Sequence, residues 1–145
     1  MLNGIDVLSA VRTKAKLEVL GDKVKKVWRQ PELEEQAALI EWADKTVIDG
    51  IRIGDYLIHI PNEGRRGPKA ARDAKRLGVR AGVPDLFLAL PRGGYAGLWV
   101  EMKSIRGISS SVQIKWMDKL VCEGYAVALC NGFLVAKTYI EKYIK

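Results

Sequence analysis

Apolar positions recur first at helical intervals and later in short extended runs. Between Val7 and Val27 they are spaced roughly as on a helix, with lysines and arginines between them, which predicts one or two amphipathic amino-terminal helices. A further helix is expected from Pro31 to about Lys45. Proline suits a first helical turn, and the glutamates after it lie near the positive end of the helix dipole.

The middle of the chain predicts strands on either side of a basic helix. Residues 51–60 carry isoleucine, tyrosine and leucine around a Gly-Asp pair, which is typical of a short strand pair or a bent strand. A Gly-Pro pair then opens a stretch rich in alanine, lysine and arginine that favours a helix, and Gly78 is well placed to end it. Residues 85–90 and 98–103 read as two strands joined by a turn, most simply as a hairpin.

The carboxy-terminal part predicts a helix, a buried strand and a last helix. One of the serines at 109–111 can cap a helix that runs through Glu123, residues 125–130 form a buried type of strand, and Phe133–Ile144 is expected to be helical. The chain contains no internal repeat and no low-complexity segment. We therefore expect one α/β domain over residues 1–145.

Composition indicates a soluble globular protein with a polyanionic partner. No apolar run approaches the roughly 20 residues that a membrane helix needs. Lysine and arginine total 24 against 17 acidic residues, and the net charge of +7 favours a polyanionic partner, with nucleic acid as the leading candidate. The excess is uneven, and residues 61–80 carry seven basic and two acidic residues. Such a run is also typical of a solvated helical face, so composition does not decide between a surface that binds a polyanion and an ordinary solvated face.

The two cysteines indicate an intracellular protein. Cys122 and Cys130 fit no zinc-ligand spacing and lie in apolar stretches typical of reduced, packed thiols. The amino terminus lacks a signal-peptide core followed by a cleavage site, so we expect no export by that route.

Three residues that can carry chemistry are expected to meet at one end of the predicted hairpin. Glu101 and Lys103 are two positions apart on a strand, so their side chains project from the same face. Asp85, at the start of the preceding strand, lies beside them if the hairpin forms. Two neighbouring carboxylates repel each other unless a cation compensates, and Mg²⁺ or Mn²⁺ suits oxygen ligands. The set predicts metal-dependent hydrolysis of a phosphodiester, with Lys103 holding or helping to deprotonate the attacking water.

Each of these residues also has a structural interpretation when taken alone. Proline followed by aspartate is common in turns, and Glu101 with Lys103 could form an exposed strand ion pair; the convergence of all three favours function. His59, the only histidine, lies among leucine and isoleucine and favours a structural role over ligation or base catalysis. Trp116 favours a core position over a base-stacking platform.

The same residues resemble the signature of the PD-(D/E)XK nucleases, in order and spacing. More narrowly, the chain resembles the VRR-NUC domain, the virus-type replication-repair nuclease module, over roughly residues 31–127. The matching segments are Val83-Pro84-Asp85, Glu101-Met102-Lys103, Pro61-Asn62-Glu63-Gly64, the glycine-rich block at 78–85, and Gln113 with Trp116.

The resemblance implies a fold and an activity. The fold would be a restriction-endonuclease-like core, a mixed sheet flanked by helices, over residues 31–145, with a helical extension over residues 1–30. The chain is similar to stand-alone phage members, which implies a homodimeric endonuclease of DNA repair that cuts branched DNA such as Holliday junctions, in the cytoplasm of a bacterial host. A flap nuclease, or a catalytically silent DNA-binding module of the same fold, is the alternative.

The resemblance also implies roles at the site. Asp85, Glu101 and the backbone carbonyl of Met102 would bind Mg²⁺ or Mn²⁺, and Lys103 would serve the attacking water. Gln113 would lie on the following helix, where its amide could bond a phosphate, the water or Glu101.

An acidic residue of the first core helix completes the implied site. Glu32, followed four positions later by Gln36, matches the family pattern best and would also bind the metal; Glu35 is the alternative. Acids at a helix start are ordinary in themselves. Contacts with the DNA backbone are expected from Asn62, Arg65, Arg66, Lys69, Arg72 and Arg80, although Asn62 equally suits a turn.

Overall fold

Among the residues that the structure describes, the chain up to Arg52 forms two small strand pairs and one long helix. A computed structural model describes residues 18–20, 23–25, 31–62 and 67–145. The strands β1 and β2 pair antiparallel, as do β3 and β4. The elements are β1 (Glu18–Leu20), β2 (Lys23–Lys25), α1 (Pro31–Lys45), β3 (Val47–Ile48) and β4 (Ile51–Arg52).

A four-stranded mixed sheet organises the rest of the described chain. Its order is β5-β6-β7-β8, with antiparallel pairing from β5 to β7 and parallel pairing between β7 and β8. Helices α1 and α4 pack against each other and against this sheet, and α3 contacts β8. The elements are β5 (Leu57–His59), α2 (Pro68–Arg76), β6 (Leu86–Leu88), β7 (Leu98–Lys103), α3 (Ser111–Cys122), β8 (Ala126–Asn131) and α4 (Phe133–Ile144).

The hydrophobic core lies between the sheet and the pair of helices α1 and α4. Alternate residues of β7 point into it, because successive side chains of a strand face opposite sides. The fully buried members are Leu39, Ile53, Leu86, Leu88, Leu98, Val100, Met102, Cys130, Ala43, Ala136 and Ile140.

The other face of the sheet is divided between aromatic and charged residues. Phe87 and Trp99 stack with their ring centroids 4.5 Å apart, and Tyr125 contacts both at its edge. Glu101 and Lys103 continue this face of β7 beyond Trp99, since they alternate with the core residues. The aromatic cluster therefore anchors one end of the strand, and the charged residues occupy the other.

The predicted elements of the core are confirmed with shifted ends. Helices begin at Pro31, Pro68 and Phe133 as expected, and β6 and β7 form the antiparallel hairpin. Strand β6 covers only the middle of residues 85–90, because Asp85 precedes the pairing. The fold class, a mixed sheet flanked by helices, is also confirmed.

The expected amino-terminal helix is wrong where the chain is described. Val19 of β1 pairs with Val24 of β2 in an antiparallel ladder. Branched valines favour strands, and a glycine at 21 would weaken a helix interior, so pairing prevails over the helical spacing. Residues 1–17 and 26–30, the remainder of the expected helical extension, lie outside the described residues.

Two further features bear on the sequence predictions. Cys130 is buried, but Cys122 is exposed on α3, so the expectation of two packed thiols is wrong for Cys122. Along the described part of the chain, no helix combines the length and apolar character needed to cross a bilayer.

Candidate active site

Asp85 is held by hydrogen bonds from two sides, one from β7 to its side chain and one from the residue after β5 to its backbone. It follows the fully buried Pro84 and is itself only 5% exposed. Its Oδ2 accepts a hydrogen bond of 2.8 Å from the backbone N–H of Met102. Its carbonyl oxygen accepts a bond of 2.7 Å from the N–H of Ile60. The acid is therefore fixed at both backbone and side chain, next to Glu101 and Lys103.

The glycine-rich approach to Asp85 is shaped by one close contact. Gly82 has φ +86°, and a Cβ at this position would lie 2.5 Å from Cγ1 of Val112 on α3. Only glycine combines this backbone conformation with so close an approach. This contact therefore packs the segment before Asp85 against the first turn of α3, which also carries Gln113.

Glu101 and Lys103 form a buried pair rather than an exposed one. The Nζ of Lys103 lies 3.4 Å from Oε1 of Glu101. Glu101 is 1% exposed and Lys103 is 9% exposed. The structural alternative of a solvent-exposed ion pair is therefore excluded, and two acids and one amine converge as the hairpin predicts.

Gln113 is oriented by a capping box at the start of α3. Its backbone N–H donates to Oγ of Ser110, and its Oε1 accepts a bond of 2.9 Å from the N–H of Ser110. With the oxygen engaged there, Nε2 donates to Oε1 of Glu101 at 2.7 Å. Of the partners considered for Gln113, the structure supplies Glu101.

The environment of Glu101 disfavours its charge. Burial raises the pKa of this carboxyl to about 7, against the lowering effect of Lys103, and the negative charge of Glu32 raises it further. Oε2 of Glu101 is buried and has no hydrogen-bond partner among the described residues. Lys103 and a backbone hydrogen bond from Asp85 both lower the pKa, but burial outweighs them, so the negative charge of this carboxylate is not fully compensated.

The structure separates the two candidate acids of α1. Oε2 of Glu35 accepts a bond of 2.6 Å from the N–H of Phe133, so this buried residue caps the amino terminus of α4. Glu32 is half-buried, and its charge acts on Glu101. The two acids thus differ: the charge of Glu32 acts on Glu101, whereas Glu35 makes a structural contact that the sequence did not predict.

The donor set fits a hard divalent cation that also binds substrate. Within residues 31–62 and 67–145, no three acidic, histidine or cysteine side chains form a ready-made metal cage. Magnesium commonly uses one or two protein carboxylates and completes its shell with water and phosphate oxygens. Asp85 and Glu101 supply such a pair, and the buried Oε2 of Glu101 is an oxygen that a cation would satisfy.

His59 approaches Asp85 from the neighbouring strand. Its Nδ1 lies 3.0 Å from the carbonyl oxygen of Asp85 and 3.1 Å from Nε2 of Gln36. The residue is exposed, and its two contacts fit the structural role that the sequence predicts. Sequence pattern does not reveal this contact, because the pairing of β5 with β6 creates it.

The basic residues of α2 and of the loop after it lie on the protein surface. No residue of α2 is buried. A cleft of about 660 Å³ separates this helix from the segment around Asn62 and Arg80. The guanidinium of Arg80 donates to the carbonyl of Lys75, which ties the end of the helix to the following loop. Lys69 and Arg72 are exposed, whereas Arg65 and Arg66 lie outside the described residues.

Trp116 is partly buried, and the ammonium of Lys119 lies 3.8 Å from the centre of its ring. This contact occupies one face of the indole with a side chain of the same helix. The tryptophan is therefore a packed surface residue of α3 in this structure.

Comparisons with known proteins identify the family of the chain. The sequence model of the VRR-NUC domain family, a family of nuclease domains, matches residues 30–134. A solved structure described as a VRR_NUC domain protein is similar to this chain with a TM-score of 0.68 and 31% sequence identity, over 78% of this chain and 87% of the other. No curated protein sequence matches significantly. Since the family match spans well over half of its length and includes Asp85, Glu101 and Lys103, the chain belongs to the VRR-NUC domain family.

Proposed function

We propose that the chain is a metal-dependent, structure-selective endodeoxyribonuclease that hydrolyses phosphodiester bonds in branched DNA, with Holliday junctions as its preferred substrate. The observation that carries the proposal is Glu101, a buried carboxylate with a pKa raised to about 7 and an oxygen without a partner among the described residues. It lies beside Asp85 and Lys103. A cation is the simplest compensation for two such acids.

Mg²⁺ or Mn²⁺ is the cofactor that these oxygens suit. Asp85 and Glu101 would hold it together with the backbone carbonyl of Met102, and Glu32 would contribute from α1. When bound, the ion neutralises charge on the phosphoryl group and lowers the pKa of a coordinated water. The half-buried position of Glu32 and its effect on Glu101 support its inclusion over Glu35.

The remaining side chains orient the reacting groups. The ammonium of Lys103 is held by Glu101, so it can donate to an attacking water at a fixed place. Gln113 holds Oε1 of Glu101 and thereby directs its other oxygen. Nothing in this set reads a base, so we expect selection by DNA shape rather than sequence.

Charge supports DNA as the substrate. The net charge is +7, and the exposed basic surface of α2 lies between β5 and β6 in the chain, next to the segment that leads to Asp85. Lys69, Arg72, Arg80, Asn62 and the arginines at 65 and 66 would contact phosphates. A homodimer would present two equivalent sites to a symmetric junction. We place such an enzyme in DNA repair, in the cytoplasm of a bacterial host, as a stand-alone phage-type protein with residues 31–145 as its nuclease core.

A cleavage assay tests the proposal. Purified protein is mixed with labelled four-way junction, flap and linear duplex, in Mg²⁺, in Mn²⁺ and in EDTA. We expect metal-dependent cuts in the junction, and their loss in Asp85→Ala, because one of the two carboxylates is removed. Asp118→Asn, which neutralises an exposed acid on α3, is the matched control and should cut normally.

Other results of this assay would support one of the two alternative functions. Preferential cutting of flaps would replace the junction as the substrate while leaving the chemistry intact. If no substrate is cut in either metal, but wild type and Asp85→Ala bind junctions equally well, the chain is a DNA-binding module of the same fold and the proposal fails.

A further inference from the structure

The contact between His59 and Asp85 joins three elements of the site. His59 belongs to β5 and pairs with Leu86, the residue after Asp85. Its Nδ1 lies 3.0 Å from the carbonyl oxygen of Asp85 and 3.1 Å from the amide of Gln36 on α1. The imidazole therefore stands between the helix that carries Glu32 and Asp85, the residue before β6.

The identity of the partners fixes where the ring carries its hydrogen. A carbonyl oxygen can only accept, and the oxygen of Asp85 has a second lone pair beside the one that takes the N–H of Ile60. Nδ1 of His59 must then donate to it. A protonated Nδ1 has no lone pair for an amide hydrogen, so Gln36 presents its oxygen to the ring, by a half-turn of its amide.

The bond adds orientation to a strand pair that is already joined. The N–H of Ile60 reaches Asp85 at 2.7 Å, and β5 and β6 pair over three residues. His59 is exposed and Gln36 is half-buried. The bond to Asp85 is part-buried, and a single hydrogen bond of this kind adds only modestly to the stability of a fold. Its effect is instead local, on the backbone of Asp85 and on α1 one helical turn after Glu32.

We propose that His59 is a positioning residue of the nuclease centre: through Nδ1 it fixes the backbone of Asp85 and, through Gln36, the distance of Glu32 from the two strand acids. This inference deepens the proposed function and rests on it. Groups that orient metal-binding side chains typically change affinity or activity about 10-fold to 100-fold when removed. His59 acts by this route and does not touch the substrate.

Two substitutions separate positioning from structure. His59→Ala removes the donor, whereas in His59→Asn the side-chain Nδ2 replaces Nδ1 at the same number of bonds from the backbone. For His59→Ala we expect the kcat of junction cleavage to fall roughly 10-fold or more with KM little changed, and Mn²⁺ affinity measured by calorimetry without DNA to fall. His59→Asn should recover most of both losses, and the Tm of the metal-free protein should change little in either variant.

The contradicting results are distinct. Unchanged kcat and Mn²⁺ affinity in His59→Ala would overturn the proposal, as would failure of His59→Asn to recover them. A large loss of Tm in His59→Ala would show that the residue supports the fold instead. Ile58→Ala, at an exposed neighbour on β5, is the matched control and should leave both quantities unchanged.

Nuclear magnetic resonance tests the bond without reference to cleavage. His59 is the only histidine, so its ring signals in ¹⁵N-labelled protein are unambiguous. At a pH where the ring is neutral, we expect the hydrogen on Nδ1. A ring with its hydrogen on Nε2 would overturn the positioning role even if the enzyme cuts DNA. Absence of metal-dependent cleavage by wild type, with the hydrogen on Nδ1, would instead count against the proposed function.

Discussion

Glu101 is a deeply buried acid, and its ionisation makes the stability of the folded protein depend on pH. Burial raises its pKa from an ordinary value of 4.5 to about 7. An acid whose pKa is higher in the folded state stabilises that state below its unfolded pKa and loses this contribution as the pH rises through the folded value. The metal-free protein should therefore lose stability from about pH 4.5 to above 7.

Glu101→Gln tests this dependence. The amide keeps the shape but cannot ionise, so the metal-free variant should gain stability relative to wild type as the pH rises from 5 to 8. Each unit of pKa difference corresponds to about 1.4 kcal/mol, so the gain is on the order of 3 kcal/mol. Thermal unfolding in EDTA at several pH values measures it. A constant difference between the two proteins over this range would contradict the assigned environment.

Gln113 serves two bonds at once, and a pair of variants can separate them. Gln113→Ala removes the bond from the N–H of Ser110 and the bond to Glu101, but keeps the Oγ cap, which uses the backbone N–H of residue 113. It should lower stability by about 1 kcal/mol and the cleavage rate roughly 10-fold or more. Ser110→Ala removes only the Oγ cap. It should lower stability similarly and leave the rate nearly unchanged. Equal losses of rate in both variants would show that the orientation of Glu101 does not matter.

The residues of the site could be predicted to different extents. Strand alternation places Glu101 and Lys103 together without any tertiary information, and the hairpin adds Asp85. By contrast, Glu35 and Glu32 occupy similar helix-start positions in the sequence. Only packing decides that one caps a helix that begins 98 residues later. The contact of His59 depends on strand register and is hidden for the same reason.

At the scale of elements, α2 is a short basic helix without buried residues. Its nine residues begin at Pro68 and end at Arg76. A helix that contributes no buried side chain does little for the core, so its charges are available to a polyanion. We infer that it contacts the DNA backbone and contributes to affinity without reading sequence.

A double substitution on α2 tests this inference. Lys69→Gln with Arg72→Gln removes two exposed cations and should weaken binding to every DNA sequence alike. The negative slope of log K for DNA binding against log salt should become less steep by about 2, since each lost phosphate contact contributes roughly 0.9. The Tm should hardly change. Lys142→Gln with Lys145→Gln, which removes the same charge at the end of α4, is the control; an equal loss in both doubles would indicate net charge alone.

The elements of the core could be predicted because each has a local signal. Pro31 and Pro68 begin α1 and α2, and Pro84 stands two residues before β6. Gly78 and Gly124 follow helices, with φ values of +95° and +90°. The pair β1 and β2 was missed because its apolar residues also fit helical spacing. Pairing of Val19 with Val24 is a cross-strand effect, which a period along the chain does not report.

At the scale of the whole molecule, the proposed junction substrate requires two centres. A four-way junction is cut symmetrically by paired sites, so we expect the protein to sediment at twice the 16.1 kDa of one chain. Analytical ultracentrifugation over a range of concentrations measures this mass. A monomer that still cuts junctions on both strands would contradict the dimer and leave the catalytic centre in place.

The central claim is that a divalent ion lies between two acids of neighbouring strands. X-ray diffraction from crystals grown with Mn²⁺, recorded at the manganese absorption edge, tests it most directly. The account predicts an anomalous peak between the carboxylates of Asp85 and Glu101, with Oε2 of Glu101 within about 2.0–2.2 Å of the ion. The claim would be contradicted by crystals grown with saturating Mn²⁺ that show no peak there, with Oε2 of Glu101 bonded to another group of the protein.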